Sequence, residues 1–200
     1  MSFEFWFEFA STYSYPAAMR IEKLAAARGV PLVWRSFLLG PIFREQGWND
    51  SPFNLYPAKG RYMWRDLERI CAAEGLPFRR PSQFPRNGLL AARVACRFAS
   101  EPWLPAFVRA VYRANFAEDH DIAEPQVIAE CLSFANVAPE SILTEAQSPE
   151  AKERLREQTS EAGRRGIFGA PTFAIGEELF WGNDRLEQAL LWFAQKGPIH

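Results

Sequence analysis

Apolar and polar residues alternate along the first stretch of the chain, "FEFWFEF" at residues 3–9, which is typical of a β-strand. A helix is predicted next, because Pro16 suits a first helical turn and Ile21 and Leu24 lie on one helical face. A second apolar run, "PLVWRSFLL" at residues 31–39, predicts another strand. Strand, helix and strand in such close succession indicate a parallel pair with a right-handed crossover.

The middle of the chain contains no convincing strand pattern. Residues 40–60 hold three prolines and three glycines, so we predict a binding loop there rather than one regular element. Helical periodicity then extends through residues 61–165. The whole segment between residue 61 and residue 165 is therefore predicted to be helical.

Strand character returns near the end of the chain. Residues 172–176 and 178–182 predict a hairpin, and "NDRLEQALLWFAQ" predicts a last helix capped by Asn183 or Asp184. The order βαβ, helices, ββα is a thioredoxin-like α/β fold with a large all-helical insertion. We therefore expect one continuous structural unit, in which residues 1–60 and 166–200 form the thioredoxin-like domain and residues 61–165 the inserted helical lobe.

Composition narrows the possible functions. The 200 residues carry a formal net charge of -1, which leaves no excess of basic residues for binding nucleic acid. Glu4 and Glu8 interrupt the apolar N-terminal stretch, and no window reaches the roughly 20 apolar residues of a membrane span. We therefore expect a cytoplasmic protein with neither nucleic acid nor membrane as a partner.

Cysteine and histidine give no sign of a disulfide or a metal site. The three cysteines are far apart in apolar helical patterns, so we interpret Cys71, Cys96 and Cys131 as buried thiols without a role in the chemistry. His120 and His200 have no partners at metal-ligand spacing, and no metal is expected.

The junction of the first strand and helix is the candidate site. Its sequence "FASTYSY" places Ser11 where a helix N-terminus favours a nearby anion. Helix capping is the alternative explanation for either serine, and we assign it to Ser14. In this fold, the loop "GIFGAPTF" at residues 166–173 reaches the same edge of the sheet, and a cis bond between Ala170 and Pro171 would suit it.

Several motifs together resemble a known family. "FASTYSY", "FLLGPIF", "YPAKGRYMWRDLER", "GIFGAPTF" and "FWGNDRL", in this order, are similar to the 2-hydroxychromene-2-carboxylate isomerases, which group with kappa-class glutathione transferases in the DsbA-like family. The resemblance covers essentially the whole chain. It implies a thioredoxin-type cleft that binds glutathione, in which Ser11 donates a hydrogen bond to the thiolate.

The resemblance also implies roles for other residues. Glutathione would be contacted by Lys59, Asn49, Ala170, Pro171, Asn183 and Asp184, with Asn54 as the alternative to Asn49. From the residues alone, a solvated loop charge is the favoured interpretation of Lys59, and a simple cap is the alternative for Asp184. Phe43, Trp48, Phe53, Tyr56 and Trp64 could form an apolar wall for a flat aromatic substrate, with core packing as the alternative for each, while Arg80 and Arg86 are candidates for a substrate carboxylate.

The function implied is a glutathione-dependent isomerase that interconverts 2-hydroxychromene-2-carboxylate and trans-o-hydroxybenzylidenepyruvate in the degradation of naphthalene-type aromatics. The alternatives are a kappa-like glutathione transferase or peroxidase, a disulfide oxidoreductase, and a non-catalytic thioredoxin-type binding module. The oxidoreductase is disfavoured because the chain has no C-x-x-C motif. The resemblance further implies a homodimer.

Overall fold

A computed structural model describes residues 2–196. Its four strands form one mixed sheet in the order β2-β1-β3-β4, with bounds β1 Phe3–Phe7, β2 Leu32–Ser36, β3 Thr172–Ile175 and β4 Glu178–Trp181. β1 pairs in parallel with β2 and antiparallel with β3, so that Phe5 lies opposite both Trp34 and Phe173. The hairpin of β3 and β4 is confirmed to within one residue of its predicted bounds.

The helices follow the predicted order. They are α1 Ser14–Ala26, α2 Leu39–Glu45, α3 Pro52–Leu55, α4 Pro57–Ala73, α5 Leu89–Arg97, α6 Leu104–Phe116, α7 Pro125–Phe134, α8 Pro139–Ala146, α9 Pro149–Arg164 and α10 Leu186–Lys196. A short 3₁₀ helix, Asn183–Arg185, precedes α10. In the part of the chain that the structure describes, helices α2 to α9 separate β2 from β3 without any strand, which confirms the predicted fold class.

The first strand is buried on both faces, which explains its density of aromatic residues. Phe3, Phe5 and Phe7 point to one face and are fully buried in the main core, together with side chains from α1, α4 to α8 and α10. The ring centroids of Phe5 and Phe173 lie 5.6 Å apart and stack. Burial of each such ring contributes about 1.5–3 kcal/mol, so β1 anchors the sheet to the helices.

A polar cluster covers part of the opposite face of β1. The Trp6 indole donates a hydrogen bond to the Glu4 carboxylate at 3.0 Å, and the guanidinium groups of Arg35 and Arg165 both form ion pairs with that carboxylate. Burial acts to raise the pKa of Glu4, but the hydrogen bonds from Arg165 and Trp6 outweigh it and hold this pKa below its ordinary value. The cluster ties β2 and the residue after α9 to the central strand.

The predicted binding loop at residues 40–60 is largely helical, which corrects the sequence interpretation. Pro52 and Pro57 each occupy the first turn of a helix, where the missing N–H of proline costs nothing. Ser51 caps α3 by accepting a hydrogen bond from the N–H of Phe53 at 3.3 Å. The second strand is also shorter than predicted, because Leu39 already begins α2.

The predicted division into a thioredoxin-like domain and a helical lobe stays a prediction. One continuous core contains Phe5 of β1 together with Leu67 of α4 and Leu132 of α7, so both parts of the chain contribute to it. His200 lies outside the described residues, whereas His120 is exposed beside Glu118, as expected for a solvated loop.

Candidate active site

Four chain segments meet at one edge of the sheet and enclose a cavity of about 1600 Å³. They are the turn before α1, the stretch from α2 into α4, residues 84–89 leading into α5, and the residues on either side of the β3–β4 hairpin. The candidate residues that line this cavity are Ser11, Phe43, Trp48, Asn49, Phe53, Lys59, Arg86, Ala170, Asn183 and Asp184. The structure therefore brings together residues from both ends of the chain.

Ser11 occupies the turn that leads into α1. Its hydroxyl donates a hydrogen bond to the main-chain oxygen of Ala170 at 2.8 Å and accepts one from the N–H of Ser14 at 3.3 Å. The peptide bond between Ala170 and Pro171 is cis, as expected. Ser11 therefore connects the N-terminus of the first helix to the loop before β3.

The assignment of capping to Ser14 is wrong. Ser14 is fully buried within the first turn of α1, and its own hydroxyl has no hydrogen-bond partner among the described residues. The acceptor at this helix N-terminus is the Ser11 hydroxyl, which receives the N–H of Ser14. Ser11 thus combines the capping contact with a place in the cavity.

The loop asparagines differ in position. Asn49 lines the cavity, whereas the side-chain amide of Asn54 is outside it and donates to Asp50 and to the main-chain oxygen of Phe84 at 3.2 Å. Lys59 lies in the first turn of α4 with its ammonium 4.8 Å from the centre of the Tyr56 ring. Lys59 is an exposed lining residue of the cavity, and it forms no ion pair with any residue between 2 and 196.

Neither Asn183 nor Asp184 caps the last helix, which corrects a second capping prediction. Gly182 precedes the 3₁₀ helix with a φ of 114°, and no side chain makes a cap hydrogen bond there. The side-chain oxygen of Asn183 instead accepts from the Arg20 guanidinium at 3.0 Å. Asp184 is exposed at the cavity, with a carboxylate oxygen 3.6 Å from Arg185.

The aromatic wall is only partly the predicted one. Phe43, Trp48 and Phe53 line the cavity. Tyr56 does not, and its side chain is exposed beside Lys59. Trp64 is also not part of the wall, because its inward-facing position on α4 places it in the core, 4.9 Å from the Phe84 ring.

Sequence reasoning missed five aromatic residues of the cavity, namely Tyr13, Tyr62, Phe84, Phe168 and Trp181. The Tyr13 hydroxyl donates to Asp66 at 3.0 Å, and the rings of Phe168 and Trp181 pack edge to face at 4.9 Å. Phe168 lies within the motif "GIFGAPTF" and Trp181 within the motif "FWGNDRL". Their positions inside these two motifs were the available signal.

The two candidate arginines have different surroundings. Arg86 lines the cavity but is buried, and it donates hydrogen bonds to Asn115 and Asp119. A hydrogen bond from the N–H of Ser82, followed by that from Arg86, lowers the pKa of Asp119 to about 2. Arg80 lies over the Trp64 ring at 4.9 Å and does not line the cavity.

Glu8 is a cavity residue that the sequence analysis did not single out as part of the site. One carboxylate oxygen accepts a hydrogen bond from the N–H of Ala10 at 3.1 Å, and no ion pair with Glu8 exists among residues 2–196. Burial raises the pKa of Glu8 to about 7, although hydrogen bonds from the amides of Ala10 and Ser11 oppose the shift. A charged residue directly after an aromatic strand, three positions before Ser11, was the signal.

The cysteines take no part in this site. Cys71, Cys96 and Cys131 are free and buried, and none of them lines the cavity. Burial raises the pKa of Cys71 to about 11 and that of Cys131 to about 12, so both stay protonated near neutral pH. Within residues 2–196, no group of three or more potential metal-binding side chains comes together.

None of the helices between residues 2 and 196 combines the length and the apolar composition needed to cross a bilayer.

Comparison with known proteins agrees with the resemblance of the motifs. The DSBA-like thioredoxin domain family matches residues 3–191. A 2-hydroxychromene-2-carboxylate isomerase of Pseudomonas putida is 33% identical over 193 residues, covering 93% of this chain and 91% of that protein. Glutathione S-transferase kappa 1 of Homo sapiens is 26% identical, covering 98% of this chain and 93% of that protein.

A solved structure of a 2-hydroxychromene-2-carboxylate isomerase has the same fold. It matches with a TM-score of 0.84 at 28% identity, covering 98% of this chain and 96% of that chain. Family match, sequence relatives and structure all span nearly the full length. The chain belongs to the DSBA-like thioredoxin-domain family, together with the 2-hydroxychromene-2-carboxylate isomerases and the kappa-class glutathione transferases.

Proposed function

We propose that this chain is a glutathione-dependent isomerase that interconverts 2-hydroxychromene-2-carboxylate and trans-o-hydroxybenzylidenepyruvate in the breakdown of naphthalene-type aromatics. The observation that carries the proposal is the Ser11 hydroxyl, which stands at the N-terminus of α1 in a large cavity that no cysteine lines. A site of this kind can hold the sulfur of another molecule but cannot perform disulfide exchange itself. The names of the isomerase relatives supply the substrate.

The hydrogen bonds of Ser11 suit it to stabilise a thiolate. The N–H of Ser14 donates to the Ser11 oxygen, which polarises the hydroxyl and makes it a better donor. The hydroxyl now points to the Ala170 oxygen and can turn to a neighbouring anion by rotation about its side-chain bond. The oxygen of Ala170 is then available to accept an N–H from a bound peptide backbone.

The polar groups around the cavity suit glutathione. This tripeptide has two carboxylates and one ammonium group, and the cavity offers the unpaired cation of Lys59, the amide of Asn49 and the carboxylate of Asp184. These groups come from α4, the α2–α3 connection and the 3₁₀ helix, and they line the same cavity as Ser11. Bound glutathione would supply a thiolate that adds reversibly to a conjugated carbon, which allows rotation about the former double bond.

The aromatic side chains define where a flat substrate would lie. Phe43 and Trp48 pack against each other at 5.6 Å on one side of the cavity, and Phe168 and Trp181 form a second pair near Ala170. Apolar walls with a few fixed polar groups are typical of small-molecule sites. We assign these two pairs to the bicyclic ring system.

The decisive experiment is turnover of 2-hydroxychromene-2-carboxylate by Ser11→Ala with catalytic glutathione. One hydrogen bond to a charged group is worth about 1.5–3 kcal/mol, so a loss of about tenfold or more in turnover is expected. Ser133→Ala is the matched control, since Ser133 is exposed on α7 and only bonds the Ala129 oxygen. Near-parental turnover by Ser11→Ala would contradict the assignment.

A kappa-like glutathione transferase is the second candidate, because a relative of that name covers nearly the whole chain. An isomerase keeps free thiol constant while many product molecules form, and it approaches equilibrium from either side. A transferase consumes one thiol for each thioether formed. Binding of glutathione without either activity would instead indicate a non-catalytic binding module.

The homodimer and the cytoplasmic location remain predictions. Sedimentation of the purified chain tests the first, since a dimer has twice the mass of the 22.8 kDa monomer. Fractionation of the producing cells tests the second.

A further inference from the structure

Glu8 is the one acidic side chain of the cavity that lies in the same turn as Ser11. The N–H of Ser11 donates to the main-chain oxygen of Glu8 at 3.0 Å, which closes a tight turn over Phe9 and Ala10. The Glu8 side chain folds back on this turn, and its carboxylate accepts from the N–H of Ala10 at 3.1 Å. Its acid group and the Ser11 hydroxyl therefore occupy one short segment of the cavity wall.

The position of Glu8 is fixed by contacts from distant parts of the chain. The Tyr112 hydroxyl, on α6, donates to the main-chain oxygen of Glu8 at 2.9 Å. The side-chain amide of Asn115, one turn further along α6, donates to the oxygen of Phe9 at 3.1 Å. The carboxyl group cannot move far from Ser11, because this helix holds the turn that carries both residues.

No cation among the described residues neutralises Glu8. The other charged side chains of the cavity are Arg44, Asp50, Lys59, Asp66, Arg86, Asp184 and Arg185, and none forms an ion pair with it. The guanidinium group of Arg86 forms an ion pair with Asp119 instead. A carboxylate and a thiolate beside Ser11 would repel each other. The state in which the pair carries one proton is therefore favoured over the state in which both groups are ionised.

We propose that Glu8 is the proton acceptor for glutathione in this site. Its carboxylate takes the proton from the thiol, so that an S–H bond is broken, an O–H bond is formed, and a thiolate lies beside a neutral carboxylic acid. The same group returns the proton when the thiol re-forms, and no other reactant is needed. This inference rests on the proposed binding of glutathione.

The acidity of Glu8 agrees with this role. Burial raises its pKa to about 7, so the group changes protonation state near neutral pH. A cysteine thiol ordinarily has a pKa of about 8.5. The Ser11 hydroxyl and the N-terminus of α1 both stabilise the thiolate, which lowers the pKa of the thiol toward that of Glu8.

The test counts protons released to solvent for each thiolate formed when glutathione binds. A pH indicator in weakly buffered solution reports the protons, and ultraviolet absorbance reports the thiolate. S-methylglutathione, which has no thiol, gives the proton exchange due to the rest of the tripeptide, and this value is subtracted. At about pH 8 the parent protein should release almost no proton, because Glu8 is ionised beforehand and takes it.

Glu8→Gln is the matched variant, because its amide oxygen can still accept from Ala10 but cannot bind a proton. It should release about one proton per thiolate at the same pH. The parent protein gives a second test that needs no variant: at about pH 5.5 Glu8 is already protonated, so proton release should rise to nearly that of Glu8→Gln. Equal release by the two proteins, or no dependence on pH in the parent, would overturn the inference. Absence of glutathione binding would overturn the proposed function as well.

Discussion

Replacing Glu8 by glutamine should change how the stability of the protein depends on pH. Burial raises the Glu8 pKa from an ordinary 4.5 to about 7 in the folded protein. Between these values the unfolded chain has lost the proton that the folded protein keeps, so ionisation favours unfolding as the pH rises. Above about pH 7 the full penalty applies, because the folded protein then carries the charge on this partly buried group.

The size of the effect follows from the shift. One pKa unit corresponds to about 1.4 kcal/mol, so the raised pKa costs about 3 kcal/mol in total, most of it between pH 5 and pH 8. This is a large fraction of the free energy of unfolding of a folded domain, which is typically about 5–15 kcal/mol. Glutamine does not titrate, so Glu8→Gln should not lose this stability as the pH rises.

The assay is urea unfolding of the parent and of Glu8→Gln at a series of pH values. Other titrating groups contribute equally to both proteins, so the difference between the two free energies of unfolding isolates Glu8. This difference should shift in favour of Glu8→Gln by about 2–3 kcal/mol as the pH rises from about 5 to about 8. If the free energies of unfolding of the two proteins change with pH in parallel, Glu8 is not desolvated in the folded protein, and the reasoning from its burial is wrong.

Three further substitutions test the site and its surroundings. Gly169→Ala would bring a Cβ into collision with the Trp181 indole, so it should raise KM for the aromatic substrate several-fold. An unchanged KM would show that Trp181 is not part of the substrate wall. Ser14→Ala should leave the unfolding free energy unchanged or raise it by about 1 kcal/mol, because it removes a buried hydroxyl without a partner; a clear loss would restore the capping role. Replacing all three cysteines by alanine should preserve turnover in a folded protein, and its loss would indicate an intrinsic thiol mechanism.

The regular elements of the sheet could be predicted from the sequence because their signals are local. Alternation in residues 3–9 and the turn at Gly176 depend on neighbours within a few positions, and the structure confirms both elements. Helices α2 and α3 were missed because prolines were read as breakers. Whether Pro52 breaks a helix or begins one depends on the residues that follow it, and here it begins one.

The residues around the cavity were harder to predict, because a linear pattern does not show which side chains face one another across the fold. Trp64 lies in helix α4 and Trp181 at the end of strand β4, and neither local pattern shows that the first packs in the core and the second lines the cavity. Glu8 is held near Ser11 by Tyr112, which lies 104 positions further along the chain. Contacts at such separations have no signature in one sequence.

The hydrogen bond between Ser11 and Ala170 joins residues that are 159 positions apart. Ala170 lies in the loop that leads into β3, and β3 lies between β1 and β4, so the sheet beside the cavity is complete only once the hairpin has been made. During synthesis the ribosome therefore produces the first wall of the cleft long before the second. The cleft can therefore form only after the hairpin has been translated.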